Sequence, residues 1–353
     1  MKFALLAVAM CTVTLLILRT VAIRMGWVDL PDSRKAHLEP VPAIGGVCWV
    51  LSFCVAAYAA GLVQVWPGLF LGLLLLAVTG AIDDQRPLPS WLRLLAQAGA
   101  VAAVFSGQAV LLQDFGRLFW PDYALNVGFL AWPITVFACV GVINALNMID
   151  GMDGLLGSIA LATLALLTAL FHAGGARPQA LCFGLALASL LPFLFMNMRT
   201  PWLLRAKVFF GDAGSMSLGL LLAWGLVSAS QAPVQIIQPV TALYLFAVPL
   251  IDTVSLMVRR AQKGRSPFVA DQEHLHHLLQ RSGFSVSTSL LMIVGAVLAL
   301  QVLGLALAYA AVPEFQRFAV FVVIALAYHF SVTSGIRRQR WLGRTLADEL
   351  VRA

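Results

Sequence analysis

The chain reads as a succession of long apolar runs separated by short polar connections. Eleven runs stand out, at about 3–23, 43–63, 67–82, 91–112, 127–145, 155–172, 179–197, 214–230, 236–257, 286–311 and 315–335. Strands of a membrane barrel alternate lipid-facing and lumen-facing residues. These runs are continuously apolar, so the pattern predicts helices. A helix of about 20 residues crosses the hydrocarbon core of a bilayer. The fold expected is therefore all-α: a polytopic integral membrane protein of about 11 transmembrane helices. It forms one membrane-embedded domain over residues 1–353, closed by a basic tail at 336–353. The first run resembles a signal peptide. No small-residue cleavage site follows it, and Arg19 and Arg24 come directly after, so it reads as an uncleaved span.

Composition removes the remaining classes. Only 11% of residues are charged and 61% are hydrophobic. A soluble domain carries about 25% charged residues. The five cysteines are scattered through apolar runs with no C-x-x-C pair, and read as small core residues.

The net charge of +7 finds its explanation in topology. If the connections alternate sides from the N-terminus, the first side holds Lys2, Arg117, Arg177 and Arg317. The other side holds the remaining 19 of 23 basic residues. Cationic loops stay cytoplasmic, so the N-terminus is expected in the periplasm and the C-terminus in the cytoplasm. No basic stretch has the aromatic interleaving of a nucleic-acid site, and no nucleic-acid partner is expected. Of 16 acids, all but Asp114, Asp122 and Glu314 fall on the same cytoplasmic side. The topology rule does not require that clustering. It reflects either salt bridges with the basic loops or one polar active site.

Four clusters carry that chemistry. Asp83-Asp84 ends the third run, in T-G-A-I-D-D-Q-R-P. Adjacent carboxylates at a membrane end can hold Mg²⁺, position a phosphate-bound cation or accept a proton. Otherwise they are neutralised by Arg86 and Arg93. The second is N-A-L-N-M-I-D-G-M-D-G-L, with Asn144, Asn147, Asp150 and Asp153 spaced three apart. That spacing keeps them near one helix face, with no basic residue nearby. Gly151 and Gly154 suggest a break or a close backbone approach. Such a set suits hydroxyls, a base edge or a metal. The third is F-F-G-D-A-G-S, where Asp212 opens a helix beside glycines. Exposed N–H groups there suit phosphate, with a divalent ion bridging to the acid. Alternatively Asp212 is a plain helix cap. The fourth runs from Asp252, inside a span, through Arg259, Arg260, Lys263 and Arg265 to His274, His276 and His277. Those histidines suit hydrogen bonds to a diphosphate, with zinc as the other reading. The loop P-D-S-R-K-A-H-L-E-P-V-P-A-I-G-G adds Lys35, either a phosphate contact or a loop anchor. His172 and His329 read as structural.

Together these clusters resemble the polyprenyl-phosphate N-acetylhexosamine-1-phosphate transferases, glycosyltransferase 4 family, over nearly the whole chain. The loop S-P-F-V-A-D-Q-E-H-L-H-H is similar to the branch that uses UDP-N-acetylglucosamine. The resemblance implies a bacterial inner-membrane enzyme with its site on the cytoplasmic face. It implies transfer of GlcNAc-1-phosphate from UDP-GlcNAc to undecaprenyl phosphate, with UMP leaving. Such a step opens a cell-surface polysaccharide pathway: O-antigen, common antigen or a teichoic-acid linkage. Another UDP-N-acetylhexosamine is the alternative donor. The resemblance assigns Asp83, Asp84, Asp150, Asp153 and Asp212 to catalysis. It assigns Asn144, Asn147, Arg93, Lys35, Arg265, His274, His276 and His277 to substrate. Mg²⁺, with Mn²⁺ as substitute, would sit on Asp212, Asp84 and Asn147. A homodimer is left open. The rival of another class is an ion-coupled secondary transporter, to which Asp252 alone leans.

Overall fold

The computed structural model describes residues 1–29, 40–107, 110–264 and 273–352, with side chains as far as Ile336. Lys35 and Arg265 lie outside the described residues. The described chain is helical: α1 Lys2–Met25, α2 Gly45–Ala59, α3 Leu62–Val65, α4 Pro67–Gln85, α5 Ser90–Phe105, α6 Ala131–Ile149, α7 Leu155–Ala173, α8 Arg177–Asn197, α9 Gly211–Ser230, α10 Pro239–Leu245, α11 Ala247–Gln262, α12 Leu275–Arg281, α13 Val286–Tyr309 and α14 Glu314–Arg352. Extended pairing among the described residues is limited to three isolated bridges.

Among the described residues, eight helices are long and apolar enough to cross a membrane: α1, α4, α6, α7, α8, α9, α13 and α14 as far as Ile336. Helices α2 and α5, of 15 and 16 residues, are apolar but shorter. Outward-facing Leu71, Val78, Phe137, Phe195, Leu291, Val302 and Phe330 are exposed, as lipid-facing residues must be. This is a multi-pass membrane protein.

The run expected as one span over 236–257 is broken. Helices α10 and α11 meet at Phe246 with an 83° bend. A break inside hydrocarbon frees backbone groups that need partners. Gln301 of α13 supplies one: its Nε2 donates to the Leu245 carbonyl at 3.1 Å. Pro249 lies three residues past the break and has no N–H to give the Leu245 carbonyl, so the signal for the bend is this proline, which hydrophobic periodicity does not register.

Helix α9 is the axis of the fold. Every residue from Ala213 to Ser230 is buried, and α2, α4, α6 and α7 pack around it. Its glycines and serines let neighbouring backbones approach, as membrane helix interfaces require. At Gly80 of α4 a Cβ would collide with the backbone of Asp212 and Ala213. That contact draws the end of α4 onto the start of α9. The start of α2 is stitched to the same place: Gly45 and Gly46 N–H donate to the Phe209 and Phe210 carbonyls at 2.9 and 2.8 Å. The ends of α4, α6 and α8 and the starts of α5, α7 and α9 thus gather at one end of the bundle.

Candidate active site

The first N–H groups of a helix have no partner within it. Helix α9 has no side-chain cap of its own. Asp84 of α4 caps it from outside: its carboxylate accepts from Asp212 N at 2.8 Å and Ala213 N at 3.4 Å. Two expectations are corrected here. Asp212 is not the cap, and two of the N–H groups expected to receive phosphate, those of Asp212 and Ala213, are taken by Asp84. Both carboxylates instead stand at one helix N-terminus, where the dipole favours negative charge.

Asp83, the neighbouring residue on α4, is buried. It accepts from Leu88 N at 2.6 Å and from the Arg93 guanidinium at 3.0 Å. The same guanidinium nitrogen lies 4.0 Å from Asp212. The Asp83 and Asp212 carboxyls are within hydrogen-bonding reach of each other. Two carboxylates therefore share one guanidinium, with the Asp84 carboxylate beside them at the start of α9, and among the described residues these acids outnumber the cation they meet. Asn147 joins through Ser215, whose hydroxyl donates to Asn147 Oδ1 at 3.2 Å.

The second cluster departs from the single helix face expected. Helix α6 stops at Ile149 and α7 starts at Leu155, with Gly154 at φ +78° between them. Asp150 and Asp153 are therefore loop residues. Asp150 stays near the pocket. Burial, with Asp84 and Asp153 nearby, pushes its carboxyl up to about 7. Asp153 is turned to Arg199, whose Nε donates at 2.7 Å, and to Ala206 N at 3.3 Å. The segment carries no basic residue of its own, but Arg199 arrives from just past the end of α8. Asn144 sits one turn deeper in α6. It pairs with Gln97 of α5, donating to its carbonyl at 2.7 Å.

Asn197, unremarked in the sequence, ties the site's loops together. Its carbonyl accepts from Gly154 N at 2.8 Å and its amide donates to the Val208 carbonyl at 2.9 Å. One side chain thus joins the loop of Asp150 and Asp153 to the segment leading into Asp212.

The histidines close the site. The rings of His274 and His276 stack with centroids 5.8 Å apart, and those of His276 and His277 lie 4.1 Å apart. His276 rests against Gly151, where a Cβ would collide with its Nε2. This explains the glycine between Asp150 and Asp153. Burial and the neighbouring His277 and His274 push His276 down to about 3, so it is neutral at pH 7. Both its ring nitrogens are buried without a hydrogen-bond partner among the described residues. A neutral imidazole carries one donor and one acceptor, and burying both unmet is costly. Asp252, the transporter-like acid, is fully engaged. It meets His274 Nδ1 at 2.9 Å, Tyr328 Oη at 2.6 Å and Leu275 N at 3.3 Å.

The described residues contain no preformed group of three His, Cys, Asp or Glu side chains that could hold a metal. The donor set nevertheless fits a hard divalent cation. Carboxylate oxygens exceed the local positive charge, and Mg²⁺ commonly takes only one or two protein carboxylates beside substrate phosphates.

Comparison with known proteins agrees with this arrangement. The sequence profile described as glycosyl transferase family 4 matches residues 66–230, which hold all five acids of the site. The chain is 34% identical over 335 residues to the undecaprenyl-phosphate alpha-N-acetylglucosaminyl 1-phosphate transferase of Yersinia pestis, covering 94% of this chain and 90% of that protein. The protein of the same name from Salmonella typhi is 33% identical, with 94% and 91% covered. That from Haemophilus influenzae is 34% identical, with 94% and 93% covered. The match runs through the four clusters and past them to the last helices, and on that extent the chain belongs to glycosyl transferase family 4.

Proposed function

We propose that this protein transfers N-acetylglucosamine 1-phosphate from UDP-GlcNAc to undecaprenyl phosphate, giving undecaprenyl-diphospho-GlcNAc and UMP. The observation that carries the reading is the convergence of Asp83, Asp84, Arg93, Asn147, Asp150 and Asp212 at one end of the bundle. Relatives bearing that activity's name align over 94% of the chain.

A lipid phosphate oxygen attacks the β-phosphorus of the donor. A new P–O bond forms, and the bond to the bridging oxygen breaks as UMP takes the electron pair. One phosphoanhydride replaces another, so positioning and charge neutralisation dominate. The attacking phosphate has a second pKa near 6 and is largely ionised at pH 7, so it needs little help from a base. Asp83 holds the Arg93 guanidinium, which is placed to meet an incoming phosphate. The unpartnered His276 ring, with His274 and His277 beside it, suits the donor diphosphate. Asn147 and Asp150 line the nucleotide-sugar side. Asp153 supports that loop through Arg199. Asp212, Asp84 and Asn147 would hold Mg²⁺, or Mn²⁺ in its place, which when bound neutralises diphosphate charge.

We place the site at the cytoplasmic headgroup level of a bacterial inner membrane. The N-terminus is then periplasmic, the C-terminus cytoplasmic, and the chain makes eleven passes if α2, α5 and the α10–α11 pair each cross. The lysine and arginine distribution supports this, and it brings a cytosolic nucleotide sugar to a lipid-borne phosphate. The product is the acceptor with which a cell-surface polysaccharide pathway begins.

The test is a donor panel. Purified protein with undecaprenyl phosphate and Mg²⁺ is offered UDP-GlcNAc, UDP-GalNAc and a 6-deoxy analogue. The lipid product is then weighed by mass spectrometry. UDP-GlcNAc should be the preferred donor. Product from another sugar alone would overturn the donor assignment and leave the chemistry standing.

A further inference from the structure

Helix α14 lies outside the segment matched by the family profile and contributes no acid to the site. It nevertheless reaches the histidine motif by two adjacent routes. Tyr328 donates from its hydroxyl to Asp252 Oδ1 at 2.6 Å. The other oxygen of Asp252 meets His274 Nδ1 at 2.9 Å. One residue on, His329 Nδ1 lies 2.9 Å from Ser255 Oγ. That oxygen accepts from Arg259 NH1 at 2.6 Å, and Arg259 NH2 donates to the Glu273 carbonyl at 2.9 Å. The two routes end on neighbouring residues, Glu273 and His274. Asp252 and Arg259 are each only 2% exposed, so both relays run through the protein interior.

We propose that Tyr328 is a positioning residue for the histidine motif. It fixes Asp252, and Asp252 fixes the ring plane and tautomer of His274. With Nδ1–H committed to the carboxylate, Nε2 is the nitrogen left for a ligand. A carboxylate that orients a histidine in this way sets which ring nitrogen does the work. Because His274 stacks on His276, and His276 rests on Gly151, the orientation passes on to the loop of Asp150. The last membrane helix thereby clamps the donor side of the site.

The consequence for catalysis rests on the transferase reading above, and the test separates the two. Full-length Tyr328→Phe, which loses only a hydroxyl, is compared with wild type, with Asp252→Asn as a second variant. The first readout is hydrogen exchange at histidine C2, followed by mass spectrometry. The His274 rate should change by about twofold or more in both variants, while His172 at the far end of α7 does not move. An unchanged His274 rate overturns the proposal, whether or not the protein turns over substrate. The second readout is kinetic. KM for UDP-GlcNAc should rise about tenfold in Tyr328→Phe, with KM for undecaprenyl phosphate and the unfolding midpoint unchanged. In a His274→Asn background, Tyr328→Phe should add nothing further. Equal rises in both KM values with a lowered midpoint would show a merely structural role and overturn the positioning claim. If wild type releases no UMP from any sugar, the transferase reading fails and histidine exchange alone decides.

Discussion

Asn197→Leu tests how the loops around the acids are held. Asn197 is buried and makes two hydrogen bonds to main chain, with Gly154 N at 2.8 Å and the Val208 carbonyl at 2.9 Å. Leucine keeps the branched shape and heavy-atom count of asparagine but has no hydrogen-bonding atom, so both backbone groups lose their partner. Each unmet group costs about 1–3 kcal/mol. Side-chain bonds within membrane bundles average nearer about 0.6 kcal/mol. For the two bonds together these bracket the loss of stability at about 1–6 kcal/mol. The effect on rate should be larger than a peripheral site suggests. Gly154 follows the loop of Asp150 and Asp153, and Val208 leads to Asp212, so both halves of the site shift. A displacement of about 1 Å can cost about 100-fold in rate. Unfolding of the purified protein, monitored beside UMP release, reads both quantities. A variant as stable and as active as wild type would refute the view that Asn197 joins these loops.

Three further outcomes follow. Arg93→Met should lower kcat/KM by about 100-fold, because Asp83 and Asp212 lose the cation between them; Arg93→Lys should recover part of it, and steady-state kinetics decides. The raised carboxyl of Asp150 means that the folded state holds a proton that the unfolded state has already lost. Stability from this group is therefore fully present below about pH 4 and lost as pH rises towards about 7. Unfolding midpoints of Asp150→Asn should fall less than those of wild type across that window, and parallel pH profiles would contradict it. Chelation should abolish UMP release and added Mg²⁺ restore it, with Mn²⁺ a partial substitute; activity that survives exhaustive chelation would remove the metal from the account.

Much of the fold was legible because lipid imposes one rule, continuous apolar helix, and each apolar run contains helix in the structure, although helix ends at Phe105 within 91–112, 43–63 divides into α2 and α3, and 236–257 is bent. The bend at Phe246 escapes the apolar pattern: its signal is Pro249, and the side chain that satisfies the freed Leu245 carbonyl, Gln301, lies on another helix. The site was legible as a set of residue types. Asp83, Asp84, Asp150 and Asp212 are acids at ends of apolar runs, where ordinary packing does not call for them. Their pairings were not legible. Asp84 caps a helix 128 residues away in sequence. Arg199 neutralises Asp153 from a segment that reads only as the end of a span. Gln97 takes Asn144 into a buried amide pair. The role of Asp252 depended most on tertiary context. An acid inside a span suggests transport, until Tyr328 and His274 are seen to hold both its oxygens.

The nucleotide released tests the central claim most directly. Purified protein is incubated with undecaprenyl phosphate, UDP-GlcNAc and Mg²⁺, and the nucleotide product is resolved by chromatography, beside Asp212→Asn. Transfer of the sugar with its phosphate predicts UMP, in step with lipid diphosphate-GlcNAc, and at least about 100-fold less from the variant. Release of UDP would contradict the account, because it would mean that the sugar moves without its phosphate.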